Sequence, residues 1–207
     1  MGEKVIYQQL TVGDRISVIL YRAGIVSVTL LLILGGIFFF KHNEVNNWNA
    51  FSALADVRGM LWYAIALYAS VGLSALTIHL YVKKFRLLIR LSYAFSAAVL
   101  IVLFIINGAE AGKYLVFNEV GGLSLLPLSI CTGFIAAKEA FCFRLNEGYI
   151  IAMLLPVTAA LLVLQVLDPG STGVLLSAVA LLMLLFAIRK VPQPLAYDIG
   201  DKSVYEK

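Results

Sequence analysis

Charge is what this sequence has least of. Only 14% of its 207 residues are Asp, Glu, Lys or Arg, while 61% are hydrophobic; soluble domains usually carry roughly 25% and 45–50%. That shortage excludes the one or two soluble domains that length alone would allow, because no aqueous core could bury so much apolar side chain. It also argues against nucleic acid as a partner. The formal net charge of +4 is modest, and the basic residues are not gathered with aromatics on one face, as phosphate recognition requires. Cysteine is scarce as well. Cys131 and Cys142 imply no disulfide framework. Eleven positions apart, they would lie about 16 Å from each other along a helix, too far to share a metal ion. His42 and His79 belong to opposite sides of the expected membrane and cannot meet. No metal or other cofactor is expected. Missing too are G-x-S-x-G, H-E-x-x-H and the phosphate-binding G-x-x-x-x-G-K-[ST]. No internal repeat is visible, so an inverted-repeat transporter has no support.

Long apolar runs are what the chain does have. A helix needs ~20 residues to cross a ~30 Å hydrocarbon layer. Six stretches approach or reach that length: Ala23–Phe40, Gly59–Val82, Leu87–Ile106, Gly121–Ala137, Tyr149–Leu167, and a last one from Pro169 or Gly173 to Ile188. The fold expected is all-α, a polytopic transmembrane bundle of about six helices. Residues 1–22 form a cytoplasmic N-terminal segment, 23–190 the six-helix domain, and 191–207 a tail. With two prolines, Gly200 and mixed charge, that tail is expected to be disordered. The first run exceeds the ~7–15 apolar residues of a signal-peptide core and is read as a retained helix. Asp14 is a candidate cap for its first turn, and Asp168-Pro169 suits the start of the sixth span.

Lysine and arginine set the orientation. Thirteen fall in the N-terminal segment, the second–third and fourth–fifth linkers and the tail, against three in the other connections. Such asymmetry places both termini in the cytoplasm. On the outer side, residues 44–58 suit a short surface helix anchored by Trp48, or equally a plain loop. Residues 107–122 read as a Gly-containing outer loop.

The most unusual stretch runs from Lys138 to Gly148 at the cytoplasmic end of the fourth span. On one helix Cys131, Lys138 and Cys142 share a face, with Glu139 the next position round. Lys138, Glu139, Cys142, Arg144 and Glu147, the last two an i,i+3 pair, are the candidate binding cluster. Charges at the end of a span also serve simply to mark that end and pair with one another. Small residues at four-residue spacing (Ala66, Ser70 and Ser74; Ser92 and Ser96; Ser129, Gly133 and Ala137) favour close helix packing over catalysis. Pro156 interrupts the fifth span, and no span has an acidic residue at its midplane, which argues against an ion-coupled pump.

The Lys-Glu-Ala-Phe-Cys-Phe run at 138–143, set between an apolar span and a Leu-Leu-Pro span, resembles a family of uncharacterised integral membrane proteins of bacteria, largely cyanobacteria. So does the early Gly13-Asp14-Arg15…Tyr21-Arg22 segment. That resemblance extends to about Pro192 and implies an all-helical membrane fold, with no reaction, cofactor or ligand attached. Three functions stay open. An accessory or structural protein binding lipids or other membrane proteins ranks first. A small-solute permease follows, its polar path drawn from Tyr63, Tyr68, Ser70, Thr77 and His79. A membrane-embedded enzyme or thiol sensor comes last, with Cys142 activated by Lys138 or Arg144. The chain is expected in a bacterial inner membrane, or in a thylakoid if its source is photosynthetic.

Overall fold

A computed structural model describes residues 10–200. All regular structure among them is helical. The long helices are α1 (Val12–Lys41), α3 (Val57–Thr77), α4 (Lys83–Asn107), α7 (Leu125–Phe143), α8 (Glu147–Val163) and α9 (Pro169–Lys190). Short helices α2 (Trp48–Leu54), α5 (Ala111–Phe117), α6 (Glu119–Gly122) and α10 (Leu195–Ile199) fill the connections. Five of the membrane-length segments satisfy both length and hydropathy for crossing a bilayer. The remaining long apolar helix, α8, has 17 residues; at 1.5 Å per residue it is about 25 Å long, at the lower limit for a span. It continues through Pro156. The chain is thus a polytopic helical bundle.

Local chemistry sets the helix starts. Thr11 and Asp14 form a reciprocal capping box on α1, with Thr11 N–H donating to Asp14 Oδ2 at 2.8 Å and Asp14 N–H to Thr11 Oγ1 at 3.2 Å. Asp14 is therefore the third helical residue and Thr11 the cap. Asp168 caps α9 by accepting from Ser171 N–H at 2.9 Å, with Pro169 just inside. Arg144 ends α7 in the left-handed region, at φ 55°.

Helix α1 packs between α3 and α9, α7 lies against α8, and α4 covers α7 from outside. Small residues permit these approaches. A Cβ on Gly24 would stand 2.5 Å from the Ser70 carbonyl oxygen and 2.8 Å from Ser74 N, so the expected Ser70/Ser74 stripe is where α1 meets α3. Gly148 meets Ala136 in the same way at the α7–α8 crossing. The bundle exterior is apolar: Phe95, Ile105, Leu181 and Ile188 all face outward, a surface that only lipid solvates well.

Two connections differ from expectation. Residues 108–122 are no open loop: they form a 3₁₀ turn and helices α5 and α6, with Ala111 and Leu115 buried and Gly112 pressed onto the α3 backbone at Met60. The part of the tail within the described residues is folded too. It turns after Lys190 and forms α10, where Asp198 and Ile199 are buried. Residues 201–207 lie outside the described residues. A buried ion pair, invisible in local composition, holds the turn and α10.

Candidate functional site

The two ends of the bundle each concentrate unusual side chains. At one end α1 supplies Tyr21 and Arg22, α7 supplies Lys138, Glu139 and Phe143, α9 supplies Lys190, and α10 supplies Tyr197 and Asp198. Lys190 Nζ lies 2.5 Å from Glu139 Oε2 and also pairs with Asp198 Oδ1; both the Lys190 and the Glu139 side chain are 0% exposed. Lys138 Nζ lies 2.6 Å from Glu139 Oε1, which also accepts from the Tyr21 hydroxyl at 2.7 Å. Above Phe143 the Lys190 ammonium sits 3.9 Å from the ring centroid, and the ring stacks on Tyr197 at 6.3 Å.

Arg22 is the most fully engaged of these groups. Its Nε donates to Asp198 Oδ2 at 2.8 Å, and Nη2 lies 2.6 Å from the same oxygen. Nη1 donates to the Val191 and Gln193 carbonyls at 2.8 and 2.5 Å, and Nη2 to the Pro194 carbonyl at 3.1 Å. These contacts match the five N–H groups of a guanidinium, leaving none for a ligand. The three carbonyls are those of the turn between α9 and α10, so Arg22 clips the tail to α1.

Of the five candidate residues, the structure brings together Lys138 and Glu139 but not the rest. Glu147 pairs instead with Arg189, at 2.6 Å, on a side chain 47% exposed. Arg144 is exposed at the helix end and lies apart from the predicted Arg144–Glu147 pair. Cys142 is exposed. Cys131, two turns below Lys138, is buried, and its thiol points at the Ile89 carbonyl at 3.4 Å. The residues missed, Tyr21, Arg22, Lys190 and Asp198, come from three other helices. One signal pointed to the last of them: Asp198 is a lone acid inside the apolar run Leu195-Ala196-Tyr197-Asp198-Ile199.

The opposite end is aromatic. Phe51 of α2 is buried against Phe38 and Phe39 of α1, with ring centroids 5.3 and 4.7 Å apart, and against Phe117 of α5 at 6.1 Å. Trp48 Nε1 donates to the Leu167 carbonyl at 2.9 Å. The helix foreseen near 44–58 therefore exists as α2, packed onto the bundle through Trp48 and Phe51. From this end a cavity of about 490 Å³ runs inward between α1, α3, α7 and α8. Leu32, Ala64, Leu67, Leu128, Leu155 and Ala159 are among its walls, and Lys41, His42 and Asp56 stand at its polar end. Ser129, Thr132 and Thr158 also line it, but each donates to a carbonyl of its own helix, at 2.7, 3.3 and 2.7 Å.

The polar side chains considered for a solute path are committed elsewhere. Tyr63 donates to the Leu31 carbonyl at 2.9 Å, Ser70 to that of Ala66 at 2.7 Å, and Thr77 to that of Leu73. Tyr68 joins Ser96 and Ser124 in a buried hydroxyl knot, 3.0 Å from each. His79 Nε2 lies 3.0 Å from Ser17 Oγ.

A family model described as uncharacterized integral membrane protein (DUF2301) matches residues 73–207, well over half the chain. The chain belongs to that family. The matched region takes in Glu139, Lys190 and Asp198 but not Tyr21 or Arg22, so the resemblance seen in residues 13–22 falls outside it while the tail falls inside. No curated protein and no solved structure matches. The family brings a membrane location and no biochemical activity.

Proposed function

We propose that this protein is a non-enzymatic accessory membrane protein that holds a lipid-like molecule within the bilayer. One observation carries the reading. The large cavity is apolar, and the acids and bases that could do chemistry are spent on one another at the far end of the bundle. A water-filled cavity of this size would leave most of its waters short of the two to four polar partners each needs, so an apolar guest is the natural occupant. The bundle's apolar flanks also suit contacts with other membrane proteins.

The six long apolar helices, α8 included, serve as spans in this reading. Both termini and the ion network face the cytoplasm of a bacterial inner membrane, or the equivalent side of a thylakoid. Thirteen lysines and arginines against three support that orientation. A reporter fused after Lys207 should be protected from reagents outside intact cells; labelling from outside would overturn the topology.

Lipid retention tests the function. Protein exchanged into a detergent that strips annular lipid should keep one tightly held lipid-like molecule, visible by native mass spectrometry. Protein that stays folded yet emerges bare would defeat the reading. Against the permease and enzyme alternatives, Glu139→Gln and Lys138→Met should lower thermal stability without a selective loss of solute uptake. Cys142 should react with a small alkylating reagent no faster than a simple thiol.

A further inference from the structure

The shape and mouth of the cavity say more about its occupant, on the footing of the lipid-binding reading above. Its lining follows α1 from Val28 to Lys41 and α3 from Asp56 to Val71. At 1.5 Å per residue both tracts are about 20 Å long, so the cavity lies lengthwise along the helices. A volume of about 490 Å³ over that length gives a mean cross-section of about 25 Å². No helix fits such a bore, being ~10–12 Å wide with side chains. An extended peptide would bring amide groups into walls that offer them no free donors, a strongly unfavourable burial. Two hydrocarbon chains side by side also exceed it, because their carbons must stand ~3.5–4.0 Å apart. One unbranched chain remains.

At the polar end the charges are unequal in availability. The Asp56 carboxylate accepts from Gly59 N–H at 2.6 Å and caps α3, whose N-terminal dipole offsets its charge. His42 packs its ring against Phe38 and Phe51, with centroids 5.2 and 6.4 Å away. Lys41 is exposed and has no hydrogen bond or ion pair among the described residues. Its long stem lets the ammonium reach over the opening. Leu34 and Leu54 line the cavity and are also exposed on the outer surface, so the chamber opens to the surrounding lipid beside this lysine.

We propose that the cavity binds a long-chain fatty acid, its acyl chain in the bore and its carboxylate on Lys41. The tail replaces empty space along Leu32, Leu67 and Leu155 with dispersion contacts. The head supplies the anion that Lys41 lacks. A fatty acid reaches this site from the bilayer, where it is already dissolved.

The full-length protein in phosphatidylcholine nanodiscs, titrated with nitroxide-labelled stearic acid and with its methyl ester, tests this. Electron paramagnetic resonance should show an immobilised stearate component that saturates at one per chain, and weaker binding of the ester. Ala159→Trp, which fills the bore, should remove the saturable component. Lys41→Gln should weaken stearate binding about fivefold, the scale of an exposed ion pair, and erase its advantage over the ester. If stearate and ester bind the wild type alike and Lys41→Gln changes neither, the fatty-acid assignment falls while the apolar site stands. A wild type with no saturable component for either probe would bring down both. Lys41 is on the surface, so its variant reports on the head group even where Ala159→Trp fails to fold.

Discussion

The charged end and the aromatic end of this bundle solve the same problem with opposite chemistry. Both must close a set of helices where they leave the membrane core. At the charged end closure is by matched, directional pairs: Arg22 on Asp198, Lys190 between Asp198 and Glu139, and Tyr21 and Lys138 on Glu139. At the aromatic end closure is by rings around Phe51, with a single indole hydrogen bond to Leu167. Ring packing is weakly directional and tolerates near-isosteric change. A buried ion network tolerates almost none, because removing one member leaves another charged and unpaired in a medium that cannot solvate it. The closed, rigid end holds the chain's tail, and the adaptable end opens on the cavity. That division suits a protein whose ligand enters from lipid and whose tail stays shut.

The sharpest way to break the comparison is at Lys190. Lys190→Met should destabilise the protein by about 3–5 kcal/mol, the scale for breaking a buried pair from one side, read as a lowered midpoint of thermal or denaturant unfolding in detergent. Adding Asp198→Asn should then cost much less than it does in the wild type, since the two residues share one interaction. Strict additivity would show that the network is a set of independent contacts. Arg22→Lys comes next. It keeps the charge and loses the fork that spans three carbonyls and a carboxylate. The loss should be about 1.5–3 kcal/mol, the value of a charged hydrogen bond, together with faster proteolysis after residue 191. An unchanged cleavage pattern would mean that Arg22 does not clip the tail. At the other end Phe51→Leu should cost less than about 1.5 kcal/mol, as near-volume-conserving swaps do. A collapse there on the scale of Lys190→Met would erase the contrast between the two ends.

How much of this was readable beforehand divides along the same line. Hydropathy located every long helix, because lipid imposes its requirement on each span separately and each run of some twenty residues carries its own signal. Asp168-Pro169 and the Ser70/Ser74 stripe were also legible, being local in sequence. Lys138 and Glu139 stood out for their position at the end of an apolar run. Their partners did not, since Arg22 counted only as one more basic residue near the N-terminus and Lys190 as the end of a helix. Nothing within a few residues of Asp198 says that an arginine 176 positions away meets it. The tail's composition matched disorder, and a tertiary ion pair overrode it. The cavity was wholly invisible, because a void is a property of six helices together.

The smallest expected effect belongs to Asp168, on the aromatic side and outside the spans. Hydrogen bonds from the Ser171 side chain and backbone hold its carboxyl below the ordinary carboxylate range. A carboxyl whose folded pKa is depressed stabilises the fold above its unfolded pKa, about 3.9, and loses that contribution as pH falls through the folded value. Asp168→Asn keeps an acceptor for the cap and removes the charge. It should lower the melting temperature slightly at neutral pH, with the gap to wild type closing in acid. The residue is fully exposed, so screening by solvent keeps the effect small and makes it fade with added salt. A gap that stays constant from neutral pH into acid would mean that the charge contributes nothing, and that hydrogen-bond geometry alone starts α9. In that case the aromatic end would owe none of its closure to ionisation, and its difference from the charged end would be complete.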